Sequence, residues 1–223
     1  MNQNKIIHKK IKIDKTAHYY TLGRYSETTK FIWLVCHGYG QTADRFISKF
    51  DVLDLEQHFV IAPEGLSRFY WNGVTGHVVA SWMTRKDRLD EIDDHVRFLH
   101  ATIEAYLNKN ANFIFFGFSQ GCATILRYLE RFQPVSAHII LWAGSIPKDL
   151  DFAKVGHYLR ESKIHMVYGE EDQFLTPEVL RTELQFIADQ NIDLHRHTYP
   201  GTHRVDKKEL KKYVDANILD QSV

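Results

Sequence analysis

Five continuous apolar runs constrain this chain more than any other feature: FIWLVC (31–36), HFVIAP (58–63), NFIFFG (112–117), HIILWAG (138–144) and IHMVYG (164–169). A strand with one wet face alternates apolar and polar residues, whereas a run apolar at every position needs cover on both faces. Between these runs lie segments with helical periodicity, roughly 88–107, 120–132, 177–190 and 206–218. In the first, Leu89, Ile92, Val96, Leu99 and Ile103 recur at spacings of three or four. Thr176-Pro177 sets a capping residue before a proline suited to a first helical position. Buried strands alternating with helices predict an α/β fold, a three-layer α/β/α sandwich around a mostly parallel sheet. DLHRHTY (193–199) alternates and suits an edge strand. KIIHKKIKI (5–13) and AHYYTL (17–22) also alternate and predict an antiparallel N-terminal hairpin at one edge.

The chain has 223 residues and shows no internal repeat, low-complexity tract or Pro/Gly/Ser-rich linker, so one domain over 1–223 is expected. Lys+Arg and Asp+Glu both total 28, which gives no bulk electrostatic reason to expect nucleic acid or an anionic membrane as partner. No run of about 18 apolar residues predicts a transmembrane segment, and MNQNKIIHKKIKIDK lacks the apolar stretch of a signal peptide. Cys36 and Cys122 both fall in apolar elements, as free thiols in a reducing compartment would. A cytoplasmic protein is expected.

In a parallel α/β sheet, functional groups collect at the C-terminal ends of strands. The run 112–117 leads into Gly117-Phe118-Ser119-Gln120-Gly121, and a helical pattern follows at once. That is G-x-S-x-G in strand–turn–helix context, the arrangement that holds a serine up as a nucleophile. A neutral serine needs a base, and the base an orienting acid, in the chain order Ser, acid, His. The run 164–169 leads into Glu170-Glu171-Asp172, and the strand 193–199 leads into Pro200-Gly201-Thr202-His203. Asp172 is preferred over its two neighbours because it lies deepest in the loop before Thr176-Pro177. FIWLVC leads into His37-Gly38-Tyr39-Gly40-Gln41, a turn able to offer a backbone N–H to an oxyanion. Tyr39 and Gln120, the residue after the serine, are the candidate donors. G-Y-G lacks the third glycine of a dinucleotide fingerprint, which argues against a Rossmann cofactor site.

HGYG (37–40), APEG (62–65), SW (81–82), GFSQG (117–121), YGEED (168–172) and PGTH (200–203) together resemble the phospholipase/carboxylesterase family of α/β-hydrolases, which includes acyl-protein thioesterases. The resemblance spans about three quarters of the chain. It implies an α/β-hydrolase fold, a serine esterase acting on small-molecule esters or thioesters, and no cofactor. It carries the nucleophile to Ser119, the acid to Asp172, the base to His203 and the oxyanion donors to Tyr39 and Gln120. The chain departs from the family at Gln41, where an Asp is common. It departs again at Trp82-Met83-Thr84, where Trp-Phe-Asp is common, and at Cys122 in place of a second glycine after the elbow. These departures bear on substrate and leave the triad untouched.

Residues 66–88 form a long connection rich in Phe69, Tyr70, Trp71, Trp82 and Met83. Long structured connections are often functional, and pockets for organic groups are mostly apolar. Trp71, Trp82, Met83, Trp142 and Phe174 are the candidate pocket residues. No insertion is long enough for a lid domain, which predicts an open site favouring short to medium acyl groups. His195 and His197 share a strand face but lack further ligands nearby, so no metal site is read there. KKELKK (207–212) reads as a solvated helix face, and so do Arg85, Lys86 and Arg88 beside the candidate pocket. A peptidase on the same fold and a silent binding protein are the alternative functions. The oligomeric state stays open.

Overall fold

The computed structural model describes residues 6–219. Its strands are β1 Tyr19–Leu22, β2 Phe31–Cys36, β3 His58–Pro63, β4 Ser67–Asn72, β5 Thr75–Ser81, β6 Asn112–Phe118, β7 His138–Trp142, β8 Ile164–Gly169 and β9 Leu194–Tyr199. Its α-helices are α1 Ala43–Ile47, α2 Arg88–Ile103, α3 Gln120–Phe132, α4 Phe152–Glu161, α5 Pro177–Asp189 and α6 Lys207–Val214. Seven strands form one sheet in the order β1-β3-β2-β6-β7-β8-β9, and β4 and β5 form a separate hairpin. Every neighbour pair in the large sheet is parallel except β1 with β3. The architecture is the α/β-hydrolase sandwich expected from the sequence.

The apolar runs are explained by burial on both sides. In β2, Ile32, Leu34 and Cys36 enter the core under α2, α3 and α4, where Leu99, Ile125 and Leu159 meet them. Phe31, Trp33 and Val35 of the same strand enter the opposite core, with Phe46 of α1 and Leu210 and Tyr213 of α6. All six residues of β2 are buried, and so are all of β3, β7 and β8. β9 lies at the edge, where only Tyr199 is buried and the other residues are partly or fully exposed; the alternation expected from the sequence does not appear in its burial.

Three expectations need correction. Residues 6–13 form no strand; β1 pairs antiparallel with β3, with Tyr19 opposite Pro63 and Leu22 opposite Val60. Lys10 is ion-paired with Asp90 and Lys12 approaches Asp93, so side-chain charge rather than backbone pairing fixes this arm. Position 5 of the expected strand lies outside the described residues. The connection 66–88 contains the β4–β5 hairpin, whose Asn72–Thr75 pair closes a two-residue turn with Gly73 at φ +79°. The sequence periodicity did not mark α4; the Asp151 carboxylate caps it, accepting from the Ala153 and Lys154 N–H groups.

Several histidines are buried in this frame. His138 Nδ1 lies 2.8 Å from His165 Nε2, and His165 Nδ1 lies 2.6 Å from the Tyr213 hydroxyl. His58 accepts from the Trp33 indole at 2.9 Å. Burial is the leading cause that lowers His37, His58, His95 and His138 to about 4 and His165 to about 3. His138 and His195 also oppose a charge on His165, as does Lys163. A depressed histidine favours the neutral form in the fold, so the unfolded chain binds more protons between about pH 4 and 6.5. Stability is therefore complete above about pH 6.5 and falls as pH drops towards 4, by up to about 1.4 kcal/mol per pH unit for each histidine. Urea unfolding at pH 7 and pH 5 checks this: the midpoint should be clearly lower at pH 5, and equal midpoints would contradict it.

Candidate active site

Ser119 sits where β6 turns into α3, with φ +52° and ψ −116°. Such a conformation costs a non-glycine residue about 1–3 kcal/mol and persists only when its surroundings over-determine it. They do so here. The Ser119 N–H donates to the Trp142 carbonyl at 2.9 Å, and the Ser119 carbonyl accepts from Cys122 N–H at 3.0 Å. The helix lies against the sheet so closely that a Cβ on Gly121 would stand 2.1 Å from the Cys36 carbonyl oxygen. A Cβ on Gly117 would stand 2.5 Å from the Cys122 Cα. Both glycines of the motif are required by backbone approach, not by turn propensity alone. Cys122 fills the space behind the turn and donates from Sγ to the Gly117 carbonyl at 3.1 Å. Burial pushes its thiol up, and that of Cys36 as well, so neither is a ready nucleophile.

His203 arrives on the loop after β9. Its Nε2 lies 2.9 Å from Ser119 Oγ, and its Nδ1 lies 2.7 Å from Asp172 Oδ2. The carboxylate fixes the tautomer: Nδ1–H donates to Asp172, which leaves Nε2 to accept from the serine hydroxyl. Asp172 is buried, and its other oxygen accepts from the Phe174 N–H at 2.8 Å and the Leu175 N–H at 3.2 Å. Glu170 is turned to the Thr198 hydroxyl and Glu171 is exposed. The His203 loop is held from below, since the Trp142 indole and the Tyr199 hydroxyl both donate to the Arg204 carbonyl, at 2.9 and 2.6 Å. Phe118 and Phe174 pack on the imidazole, with centroids at 5.1 and 4.6 Å.

The turn after β2 closes over Ser119: a Cβ on Gly38 would lie 3.3 Å from the serine Cβ. Two of its backbone donors are occupied. Gly38 N–H goes to the Gln41 side chain at 2.9 Å and Gly40 N–H to the Ala80 carbonyl at 3.0 Å. Tyr39 N–H lies between them and takes no acceptor among the described residues. Gln120 opens α3, so its N–H belongs to the first-turn donors that lack an intrahelical acceptor. Sequence reasoning did not single out His37, whose Nε2 accepts from Gly65 N–H at 3.0 Å while Nδ1 donates to the Gly38 carbonyl at 2.7 Å. It overlooked Glu64 too, buried between the Ala43 N–H and the Arg68 guanidinium. The signal for both was a polar residue directly after a fully apolar run.

The five candidate pocket residues divide. Trp71 and Phe174 are exposed, at 56% and 62%. Trp71 covers Gly40, where a Cβ would meet its ring at 2.3 Å, and forms an aromatic cluster with Tyr39 and Phe69. Trp82 and Trp142 lie in the core at 1% and 0% exposure, so neither offers a face to a ligand as the pocket reading required. Met83 is nearly buried, and its carbonyl accepts from the Gln120 amide at 2.9 Å. No group of three or more His, Cys, Asp or Glu among the described residues is placed to hold a metal. No helix among them is long and apolar enough to cross a membrane.

The fold recurs in solved structures. Zea mays acyl-protein thioesterase 2 superposes with a TM-score of 0.68 at 15% identity, covering 91% of this chain and 99% of that one. Esterase PE8 gives 0.61 at 18%, covering 90% and 99%. A phospholipase/carboxylesterase from Dyadobacter fermentans gives 0.64 at 22%, covering 92% and 97%. No curated protein matches the chain significantly. The family model described as Phospholipase/Carboxylesterase matches residues 25–216, from before β2 to beyond α6. With that match over most of its length, the chain belongs to the phospholipase/carboxylesterase family of hydrolases.

Proposed function

We propose that the protein is a cofactor-independent serine esterase or thioesterase working through a Ser119–His203–Asp172 triad. The observation that carries this reading is the pair of hydrogen bonds on one imidazole, 2.9 Å to Ser119 Oγ and 2.7 Å to Asp172 Oδ2. As Ser119 Oγ bonds to the substrate carbonyl carbon, its proton passes to His203 Nε2, and Asp172 stabilises the imidazolium without taking the proton. The carbonyl oxygen gains the negative charge and accepts from the Tyr39 and Gln120 N–H groups. Collapse expels the alcohol or thiol, which leaves with the proton from His203. Water, deprotonated by the same nitrogen, then frees the acid from the acyl-enzyme.

The exposed Trp71 and Phe174 suit an open acyl site for short to medium chains. Trp71 stands over the Tyr39–Gly40 side and Phe174 over His203. The free, buried thiols fit a cytoplasmic setting. The peptidase and silent-binding readings have no observation of their own in their favour.

A fluorophosphonate probe should label the parent and leave Ser119→Ala unlabelled; a labelled Ser119→Ala would assign the nucleophile elsewhere. Asp172→Asn should lower kcat by about 10⁴ with the fold intact, the loss seen when the orienting acid of a serine-protease triad becomes an amide and the imidazole takes the wrong tautomer. Glu170→Gln and Glu171→Gln should stay within about tenfold of the parent, since neither acts in the transition state. A crippled Glu171→Gln beside a mild Asp172→Asn would move the acid.

On p-nitrophenyl esters of increasing length, kcat/KM should peak at short to medium chains. Such a site offers too little apolar cover to repay the burial of a long chain. A maximum near sixteen carbons would refute the open-site assignment.

A further inference from the structure

Both proposed oxyanion donors are tied to one buried residue, through its backbone on one side and its side chain on the other. Trp82 follows β5, is 1% exposed, and bonds in two directions. Its backbone N–H donates to the Gln120 side-chain oxygen at 3.1 Å, and the same carboxamide donates to the Met83 carbonyl at 2.9 Å. Those two bonds pin the residue that follows the nucleophile. The Trp82 indole N–H donates to the His37 carbonyl at 2.8 Å, and the indole packs against the His37 imidazole with centroids 4.9 Å apart. That bond anchors the root of the His37–Gly40 turn, two residues before the Tyr39 N–H. On the far side of the same turn, Ala80 of β5 exchanges backbone bonds with Gly40 and Gln41. Gly40 N–H goes to the Ala80 carbonyl and Ala80 N–H to the Gln41 carbonyl, at 3.0 and 2.9 Å.

We propose that Trp82 is a positioning residue that sets the separation and aim of the Tyr39 and Gln120 N–H groups, rather than a wall of the acyl pocket. The proposal rests on the serine-hydrolase reading above. Its physical basis is that an oxyanion hole works by preorganisation: two donors must already point at the place where charge develops. The two donors here lie on different elements, the turn after β2 and the first turn of α3. No backbone bond among the described residues joins Tyr39 and Gln120 directly; the β2–β6 pairing and the Gly121 contact bring their two elements together, and their fine register is left to side-chain ties. Trp82 supplies these ties with one group for each side, and its burial against His95 and the Ile125 core keeps it from moving with substrate. A displacement near 1 Å at such a site costs about 10²-fold in rate.

The test compares the parent with Trp82→Phe, which removes the indole N–H and keeps a ring, and with Gln120→Met, which removes the carboxamide and keeps the length. Each is assayed with p-nitrophenyl butyrate, with a trifluoromethyl ketone that adds to the serine as a tetrahedral oxyanion, and with butyrate as product. The expected result is a roughly 10- to 100-fold lower kcat with KM within about threefold, the range set by a misaligned donor. Trifluoromethyl ketone affinity should fall in parallel, and butyrate affinity should be unchanged. A folded variant with kcat within about threefold of the parent overturns the proposal, since a misaligned donor costs more than that. So does a shift of KM and of chain-length preference with trifluoromethyl ketone affinity intact, the signature of a pocket wall. Circular dichroism and the thermal midpoint establish folding; if Trp82→Phe does not fold, Gln120→Met, at a partly exposed helix start, decides by the same criteria. A parent that neither turns over any ester nor reacts with fluorophosphonate refutes the serine-hydrolase reading itself. An active parent with unaffected variants refutes only the role of Trp82.

Discussion

The close approach of α3 to the end of β2 is the contact on which the rest of the site depends. With no Cβ at Gly121, the helix start lies against the Cys36 and His37 carbonyls. That proximity forces the chain at Ser119 through φ +52°, a region an alanine-like residue avoids. The strain is tolerable because β6 is the central strand of the seven and is gripped on both sides, by β2 and by β7. The carbonyl of Trp142, the last residue of β7, accepts from the serine's own N–H. The Trp142 indole also carries the loop that presents His203. One neighbouring strand thus supports the Ser119 turn by its backbone and the His203 loop by its side chain, which fixes the serine–imidazole distance through a single rigid element.

Around this point the polar groups are buried and almost all of them are matched. A buried donor or acceptor without a partner costs about 1–3 kcal/mol, so a half-satisfied turn would not hold its shape. His37 remains neutral because burial lowers it to about 4, and only the neutral ring can accept from Gly65 N–H. Gln41 stands where an acid is common in the family, yet its amide oxygen still takes the Gly38 N–H at 2.9 Å. The amide keeps the acceptor that the turn needs and carries no charge.

The sequence was most legible where burial was total. β2, β3 and β8 coincide with their apolar runs to the residue, since a fully covered strand leaves no polar position to blur its ends. α3 and α5 were legible because an elbow starts one and Thr176-Pro177 starts the other. The N-terminal arm misled because alternation of Ile and Lys mimics a half-buried strand. Its isoleucines are exposed, and its lysines answer acids on α2 that only the fold brings near. The β4–β5 hairpin did carry a signal, Gly73 between an aromatic run and Val78-Val79, but its aromatics suggested a pocket first. Trp82 and Trp142 illustrate the deeper limit. An indole near a strand end serves equally as a ligand wall or as a buried donor, and only the position of a carbonyl 2.8 or 2.9 Å away decides which.

The division of labour between sheet and hairpin follows from these contacts. Ser119, Asp172 and His203 stand at strand ends and a helix start, beside elements locked into two cores. The groups exposed beside them, Trp71 above all, stand on a two-stranded hairpin whose outer residues are largely exposed. A hairpin of that kind can change its side chains without disturbing the cores, because few of them are buried. Its inner end cannot change so freely, since Val79, Ala80 and Ser81 are buried. The hairpin's outer length is therefore free to vary in sequence, while its last residues are held by burial. The departure at Met83-Thr84 falls at that boundary. Met83 is bonded through its carbonyl, which any residue supplies, so the bond to the Gln120 amide does not depend on the side chain the chain carries there.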